Sequence, residues 1–298
     1  LLPSDLKRGV LRRVDDKTFP EDPLRVLRAA QFASRFGFRV EKKTVALCRE
    51  MDLTALSRER VMGELEKALL QSNHPSVFFE TLREMGQLRP WFSEAADLIG
   101  VPQNPRFHTE GDVWNHTMLV LDAAAKYRDR VERALGLMLA ALTHDFGKTV
   151  ATEYESGVYH AYGHEKAGLP LTEQFLKRLT NEKTLIDYVM SLTALHMKPN
   201  VIVASGANVK ASNRMFDEAA DPEALICLSM ADGQGTISPY PWVSCEENLE
   251  ARLEIYRKSL KIVEAICGND KKLSGFIKID REWAENTLFR YKRIKNNA

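Results

Sequence analysis

The sequence predicts an all-α protein, and three observations carry that prediction. Apolar residues recur at helical spacing; aspartate, proline and glycine fall where helices start and stop; and no convincing alternating strand is present. The 298 residues suffice for one large or two ordinary domains. Hydrophobic residues make up 44% and charged residues 28%, the balance of a chain that folds around a sizeable core.

The opening LLPSDLKRGVLRRVDDKTFP reads as strand or loop leading into a further element, and position 1 is leucine rather than methionine. Asp22-Pro23 then starts a helix. An aspartate accepts from a free first-turn N–H, and a proline there loses no hydrogen bond. Val26, Ala30 and Ala33 fall on one side of LRVLRAAQFASRF, Arg28, Gln31 and Arg35 on another, and Gly37 supplies a left-handed stop. Further helices are expected over Thr44–Glu50, Ser57–Leu70 and Ser76–Met85. Pro90 to Arg106, rich in proline, glycine and asparagine, reads as a linker. Beyond it come Val113–Tyr127, opened by Asp112, then Glu132–His144, Ala167–Leu179 and Thr184–His196. Asp221-Pro222 opens another helix running towards Asp232, and Glu247–Cys267 reads as a long final helix. Asn269 to Ala298 ends in the basic run FRYKRIKNNA.

Composition narrows the class. Lysine plus arginine number 42 against 41 acidic residues, so any nucleic-acid surface must be local. Cys48, Cys227, Cys245 and Cys267 form no CxxC pair, which argues against a zinc ribbon or a disulfide framework and fits a reducing compartment. No apolar run approaches the ~20 residues of a membrane span, and no signal peptide is visible. The expectation is a cytoplasmic protein.

Histidine is unevenly spread. Five of the seven (His116, His144, His160, His164, His196) lie between Val113 and Pro199, while His74 and His108 read as loop or surface residues. Neutral imidazole and carboxylate hold first-row divalent metals. His144-Asp145 ends the apolar helix GLMLAALTHDFGK, and Asp232 follows the apolar stretch ALICLSMA. Unpaired buried polar groups cost about 1–3 kcal/mol each, so polar residues closing a buried helix need partners. Coordination of an ion supplies them. Neighbouring helical residues point about 100° apart, so His144 and Asp145 can straddle one ion or bridge two.

The ordered set His116, HDFGK, GHE, LHMKP and ADGQG resembles the His-Asp superfamily of metal phosphohydrolases. The resemblance implies one metal held by His116, His144, Asp145 and Asp232. Two-metal members add two histidines, and the matching positions are His164 and His196, with His160 a rival to His164. It also implies that Lys148 meets substrate phosphate and that Asp145 bridges metals or takes a proton from the attacking water. One or two divalent ions are thus expected, with manganese, iron, nickel, cobalt, magnesium and zinc all admitted by the ligand types. Such an ion lowers the pKa of its water towards ~7 and neutralises phosphate oxygens. A phosphomonoester or cyclic phosphodiester is the implied substrate class.

FPEDPLRVLRAAQFASRFGF resembles the neck of bacterial CCA-adding tRNA nucleotidyltransferases and poly(A) polymerases. There a Glu-Asp-x-x-Arg motif reads the base edge of the incoming nucleotide. The matching positions are Glu21, Asp22 and Arg25, with Arg28 and Arg35 on the following turns. SRERVMGELEKALL resembles the next motif, at Arg60 and Glu64, and also reads as a helix with an i,i+4 ion pair. The implied organisation is a neck and RNA-binding region over 1–100, an HD phosphohydrolase bundle over 101–265 and a basic tail over 266–298. The family's catalytic head, with its Asp-x-Asp metal pair, has no counterpart, so nucleotidyl transfer is expected only if a head is supplied in a longer protein. Two functions are implied. One is hydrolysis of nucleotide or RNA 3′-end phosphoesters. The other is a tRNA-binding part with an inert HD site, in which Arg8, Arg12, Arg13, Arg25, Arg28, Arg35, Arg290, Lys292 and Arg293 contact phosphates.

Overall fold

The computed structural model describes residues 3–239 and 245–267, and among them helices dominate. The basic tail, with Arg290, Lys292 and Arg293, and the side chain of Cys267 lie outside the described residues. The first region holds α1 (Pro3–Lys7), α2 (Leu24–Phe36), α3 (Lys42–Arg49), α4 (Arg58–Gln71), α5 (Ser76–Glu84) and α6 (Arg89–Ala96). The second holds α7 (Val113–Ala124), α8 (Ala134–Thr143), α9 (Lys148–Ala151), α10 (His164–Ala167), α11 (Leu169–Leu179), α12 (Lys183–Leu195), α13 (Lys198–Ala204), α14 (Val209–Glu218) and α15 (Pro222–Gly235). Helix α16 (Glu246–Cys267) comes last.

The all-α class holds, with two small additions. Strands β1 (Val10–Leu11) and β2 (Arg39–Val40) pair in parallel. Strands β3 (Glu153–Glu155) and β4 (Val158–His160) form an antiparallel hairpin in which Tyr154 faces Tyr159. Ser156 and Gly157, both at positive φ, make its two-residue turn. Strands this short leave no readable alternation, which is why sequence periodicity misses them. The opening stretch is part helix and part strand rather than strand or loop alone.

Helix α2 forms as its pattern requires. Val26, Leu27, Ala30 and Ala33 are buried, and the helix ends at Gly37 in the left-handed region. It packs on α4 and α5, whose Val61, Leu65, Leu69, Phe78, Phe79 and Leu82 are buried in the same core. The reading of Pro90 to Arg106 as a linker is corrected: its first part belongs to α6, with Trp91, Phe92, Ala95 and Ala96 buried. Pro90 sits in the first turn, where a missing N–H costs nothing. The i,i+4 pair expected between Arg60 and Glu64 does not form, because Glu64 bonds Lys67 at 2.9 Å while Arg60 reaches back to Asp22.

One apolar core runs through both regions. Phe78, Phe79 and Phe92 meet edge to face with ring centroids 5.1–5.8 Å apart. Phe92 continues to Phe175 at 6.4 Å, and Phe175 to Phe146 at 5.5 Å, next in sequence to Asp145. Arg178 on α11 clasps Glu94 on α6 with bonds of 2.6 and 2.7 Å and also donates to the carbonyl of Trp91. Helix α8, buried from Gly136 to Thr143, is the axis of the second region, packed by α7, α12 and α15.

Candidate metal centre

The polar cluster forms where helices end. Asp112 caps α7 by accepting from the N–H of Asn115 at 2.9 Å, which starts the helix so that His116 faces inward, fully buried. The apolar helix α8 delivers His144 and Asp145 at its C-terminal end, both buried. His164 opens α10, His196 closes α12, and Asp232 lies in the last turns of α15.

Each histidine is anchored through Nδ1. In His144, His164 and His196 that atom lies 2.7–2.9 Å from the carbonyl three residues earlier, of Ala141, Ala161 and Thr193. In His116 it lies 3.1 Å from Oε1 of Glu110. A proton on Nδ1 leaves Nε2 as the coordinating atom. All four Nε2 atoms converge on Asp145. Its Oδ2 lies 3.2 Å from His144 Nε2 and 3.7 Å from His116 Nε2; its Oδ1 lies 3.1 Å from His164 Nε2 and 3.9 Å from His196 Nε2. Asp232 Oδ1 completes the first side, 3.0 Å from His116 Nε2 and 3.9 Å from His144 Nε2.

The structure therefore brings His116, His144, Asp145, His164, His196 and Asp232 together. Potential ligand atoms lie within 4.8 Å of one another in the triplet His116–His144–Asp145, and likewise in Asp145–His164–His196. Asp145 is shared by the two, with one oxygen turned to each. These residues fit a divalent ion on independent grounds. His144 Nε2 is buried without a hydrogen-bond partner, and His164 Nε2 faces His196 Nε2 at 3.2 Å. With both Nδ1 atoms donating to carbonyls, two lone pairs point at one another, and a shared cation removes that repulsion.

The electrostatics keep both carboxylates ionised and divide the histidines. Burial acts to raise the pKa of Asp145, but His144 and Lys148 outweigh it and hold the carboxyl well below its usual range. Asp232 is likewise held low against its burial by His116. Burial acts to lower His116, but hydrogen bonds to Asp232 and Glu110 raise it to about 9. His196, buried beside His144, is lowered to about 4.

Lys148 Nζ lies 2.7 Å from Asp145 Oδ2 and bonds Gln103 Oε1 at 2.9 Å. It borders a cleft of about 580 Å³ that opens onto Asp145, His164, His196 and Asp232. His160 stays outside the cluster, on β4, its ring stacked on Tyr162.

Several supporting residues escape the sequence reading. Glu110 accepts from both His108 (2.8 Å) and His116 through Oε1, and from the N–H of Ile237 through Oε2 (3.0 Å). Burial acts against its ionisation, but the bonds from His108 and His116 bring its pKa down to about 2. His108 is thus half-buried beside the site rather than a plain loop residue, whereas His74 stays exposed beside Asp122. Gly147 matters because a Cβ there would lie 1.9 Å from the carbonyl oxygen of His164. This close approach sets the segment carrying His164 against the one carrying Asp145. No spacing rule flags Glu110, which precedes the first turn of α7; the glycine of HDFGK is the one signal present in the motif.

The neck residues are placed differently. Asp22 accepts from Arg60 at 2.8 and 2.9 Å and from the N–H of Leu24 at 3.1 Å. Arg25 donates to the carbonyls of Thr18 and Phe19, and Glu21 is exposed. Arg25 and Arg28 line a cavity of about 420 Å³ with Arg12, Arg13, Phe19 and Phe32. Arg12 and Arg13 are ion-paired to Glu41, so part of the basic set is already neutralised.

Comparison with known proteins agrees with this layout. The HD domain family model matches residues 113–233, and the model for the probable RNA and SrmB-binding site of polymerase A matches residues 37–99. A multifunctional CCA protein of Pasteurella multocida (strain Pm70) is 37% identical over 245 residues, covering 78% of this chain and 57% of the relative. The chain is a relative of the multifunctional CCA proteins and carries an HD domain. A second such protein, from Actinobacillus pleuropneumoniae serotype 5b (strain L20), is 40% identical over 199 residues, covering 64% of this chain and 47% of the relative. The chain thus spans about half the length of these relatives. A CCA-adding enzyme solved with CTP shares the fold at a TM-score of 0.56 and 18% identity, covering 92% of this chain and 58% of that one. A tRNA nucleotidyltransferase solved with a primer tRNA and an incoming ATP analogue gives 0.52 and 18%, covering 86% of this chain and 64% of that one. Among the described residues no helix is long and apolar enough to cross a membrane.

Proposed function

We propose that this chain is a metal-dependent phosphohydrolase acting on nucleotide or RNA 3′-end phosphoesters, of the phosphatase and 2′,3′-cyclic phosphodiesterase type. The observation that carries the reading is Asp145, whose two oxygens each face a separate pair of histidine Nε2 atoms at the floor of a cleft. His116, His144, Asp145 and Asp232 would hold one ion, and Asp145, His164 and His196 a second. Bound there, such ions supply Lewis-acid activation of water and neutralise charge on the phosphoryl oxygens. The protein's own groups do the rest. Carbonyls of Ala141, Ala161 and Thr193 and the carboxylate of Glu110 fix the imidazoles. Lys148 places a positive charge at the cleft wall for a phosphate oxygen, and Gln103 steadies it. Asp145 would either bridge the two ions or take the proton of the attacking water, and its low pKa beside His144 and Lys148 favours the bridging role. The test is hydrolysis of bis-p-nitrophenyl phosphate and a nucleoside 2′,3′-cyclic phosphate with added manganese, nickel or cobalt. Activity must appear with metal and vanish in His144→Ala and Asp145→Ala; full activity in either variant overturns the assignment.

A second reading rests on the RNA-binding match over residues 37–99 and on the cavity whose arginines precede it in sequence. Here Asp22, Arg25 and Arg28, which lie outside that match, would belong to a nucleotide- and tRNA-binding surface, and nucleotidyl transfer needs a head domain supplied elsewhere. Phosphate contacts from a few arginines would weaken tRNA binding steeply between low and moderate salt. Salt-independent binding contradicts it.

A further inference from the structure

His160 and Tyr162 stack in parallel at the mouth of the metal-site cleft, and we infer that this pair is a platform for the nucleobase of the substrate. The inference rests on the phosphohydrolase reading and deepens it by naming the residues that hold the base. The two rings lie 5.0 Å apart with planes 11° from parallel. Tyr162 is 81% exposed although it borders the same cleft as Asp145 and His196. An exposed aromatic ring already stacked on one side offers its other face to a planar partner, and every nucleobase has such a face. Tyr159, from the same strand as His160, also lines the cleft and leans on Tyr154 across the hairpin at 4.8 Å.

The chain geometry ties the platform to the chemistry. His160, Ala161, Tyr162 and His164 lie within five residues. The carbonyl of Ala161 fixes the ring of His164 at 2.7 Å, and His164 faces Asp145. The same short segment therefore sets the inward imidazole and carries the outward rings. His160 and His164 compete for one role in the sequence; the structure gives them two, one at the metal site and one at the mouth. Lys148, on α9 just before the hairpin, borders the same cleft. A nucleoside phosphate has the complementary layout: a planar base joined through a ribose to an ester.

The test compares wild type with Tyr162→Ala, Tyr162→Phe and His160→Ala on adenosine 2′-phosphate and on glycerol 2-phosphate, a phosphomonoester with no base. Calorimetry after treatment with EDTA, where no turnover occurs, reads binding apart from turnover. The platform predicts that Tyr162→Ala weakens adenosine 2′-phosphate by about 5- to 100-fold in Kd and KM. Glycerol 2-phosphate is unchanged, and Tyr162→Phe stays near wild type. A third arm, a short RNA ending in a 2′,3′-cyclic phosphate, separates the sources. Dependence on Tyr162 with the mononucleotide assigns free nucleotides, and dependence with the RNA alone assigns a terminal nucleotide. Equal Kd values in wild type and Tyr162→Ala on both, or an equal loss on glycerol 2-phosphate, overturn the platform. If wild type hydrolyses neither ester, the phosphohydrolase reading fails by itself, and calorimetry still decides the platform.

Discussion

His164 and His196 point their Nε2 atoms at one another across 3.2 Å while each Nδ1 is held by a backbone carbonyl. Two imidazoles fixed in this way share either a proton or a cation. Binding of a cation to the folded state alone raises stability by about 2.7 kcal/mol at a hundredfold excess over Kd. Manganese, nickel or cobalt should therefore raise the melting temperature and EDTA lower it. In a double variant lacking both His144 and His196 the two curves should coincide.

Glu110 is expected to act through His116. Replacing it with glutamine keeps the shape but removes the charge that orients two imidazoles. Partners of this kind are worth about 10- to 100-fold in metal affinity or activity. Glu110→Gln should weaken metal binding by that factor, with little change in the circular dichroism spectrum.

Lys148 is expected to separate binding from metal content. In Lys148→Ala, metal stoichiometry should stay at the wild-type value while hydrolysis falls at least tenfold. Loss of metal together with activity would instead make Lys148 a prop for Asp145.

The Glu94–Arg178 pair gives a stability prediction with a definite sign. Burial pushes the Glu94 carboxyl up, but the two Arg178 bonds hold it below its ordinary value of 4.5. A carboxyl depressed in the folded state stabilises above its unfolded pKa, and that contribution is lost as pH falls through the folded value. Arg178→Ala should cost about 3 kcal/mol at pH 7, the low end for a broken buried pair, because a quarter of the arginine side chain stays exposed. The difference from wild type in urea unfolding should shrink below about pH 4.5.

Helix boundaries and ligand types are legible in the sequence. The starts of α7 and α15 obey Asp112 and Asp221-Pro222 and the stop of α2 obeys Gly37, because capping is local chemistry; α2 itself starts one residue later than expected, at Leu24, with Asp22 accepting from its N–H. The residues of the candidate metal centre are readable because histidine and aspartate stand at the ends of strongly apolar stretches. The hidden features depend on tertiary approach. Arg60 reaches Asp22 rather than Glu64, and Gly147 lies against the carbonyl of His164. Glu110 reaches His116 from a loop, and α6 hides behind a proline that helices tolerate only in their first turn.

The most direct measurement is an anomalous difference map from crystals of the chain grown with manganese. One peak should be bounded by His116, His144, Asp145 and Asp232, and a second by Asp145, His164 and His196. A map with no peak at Asp145, at manganese concentrations that support hydrolysis, contradicts the two-ion centre.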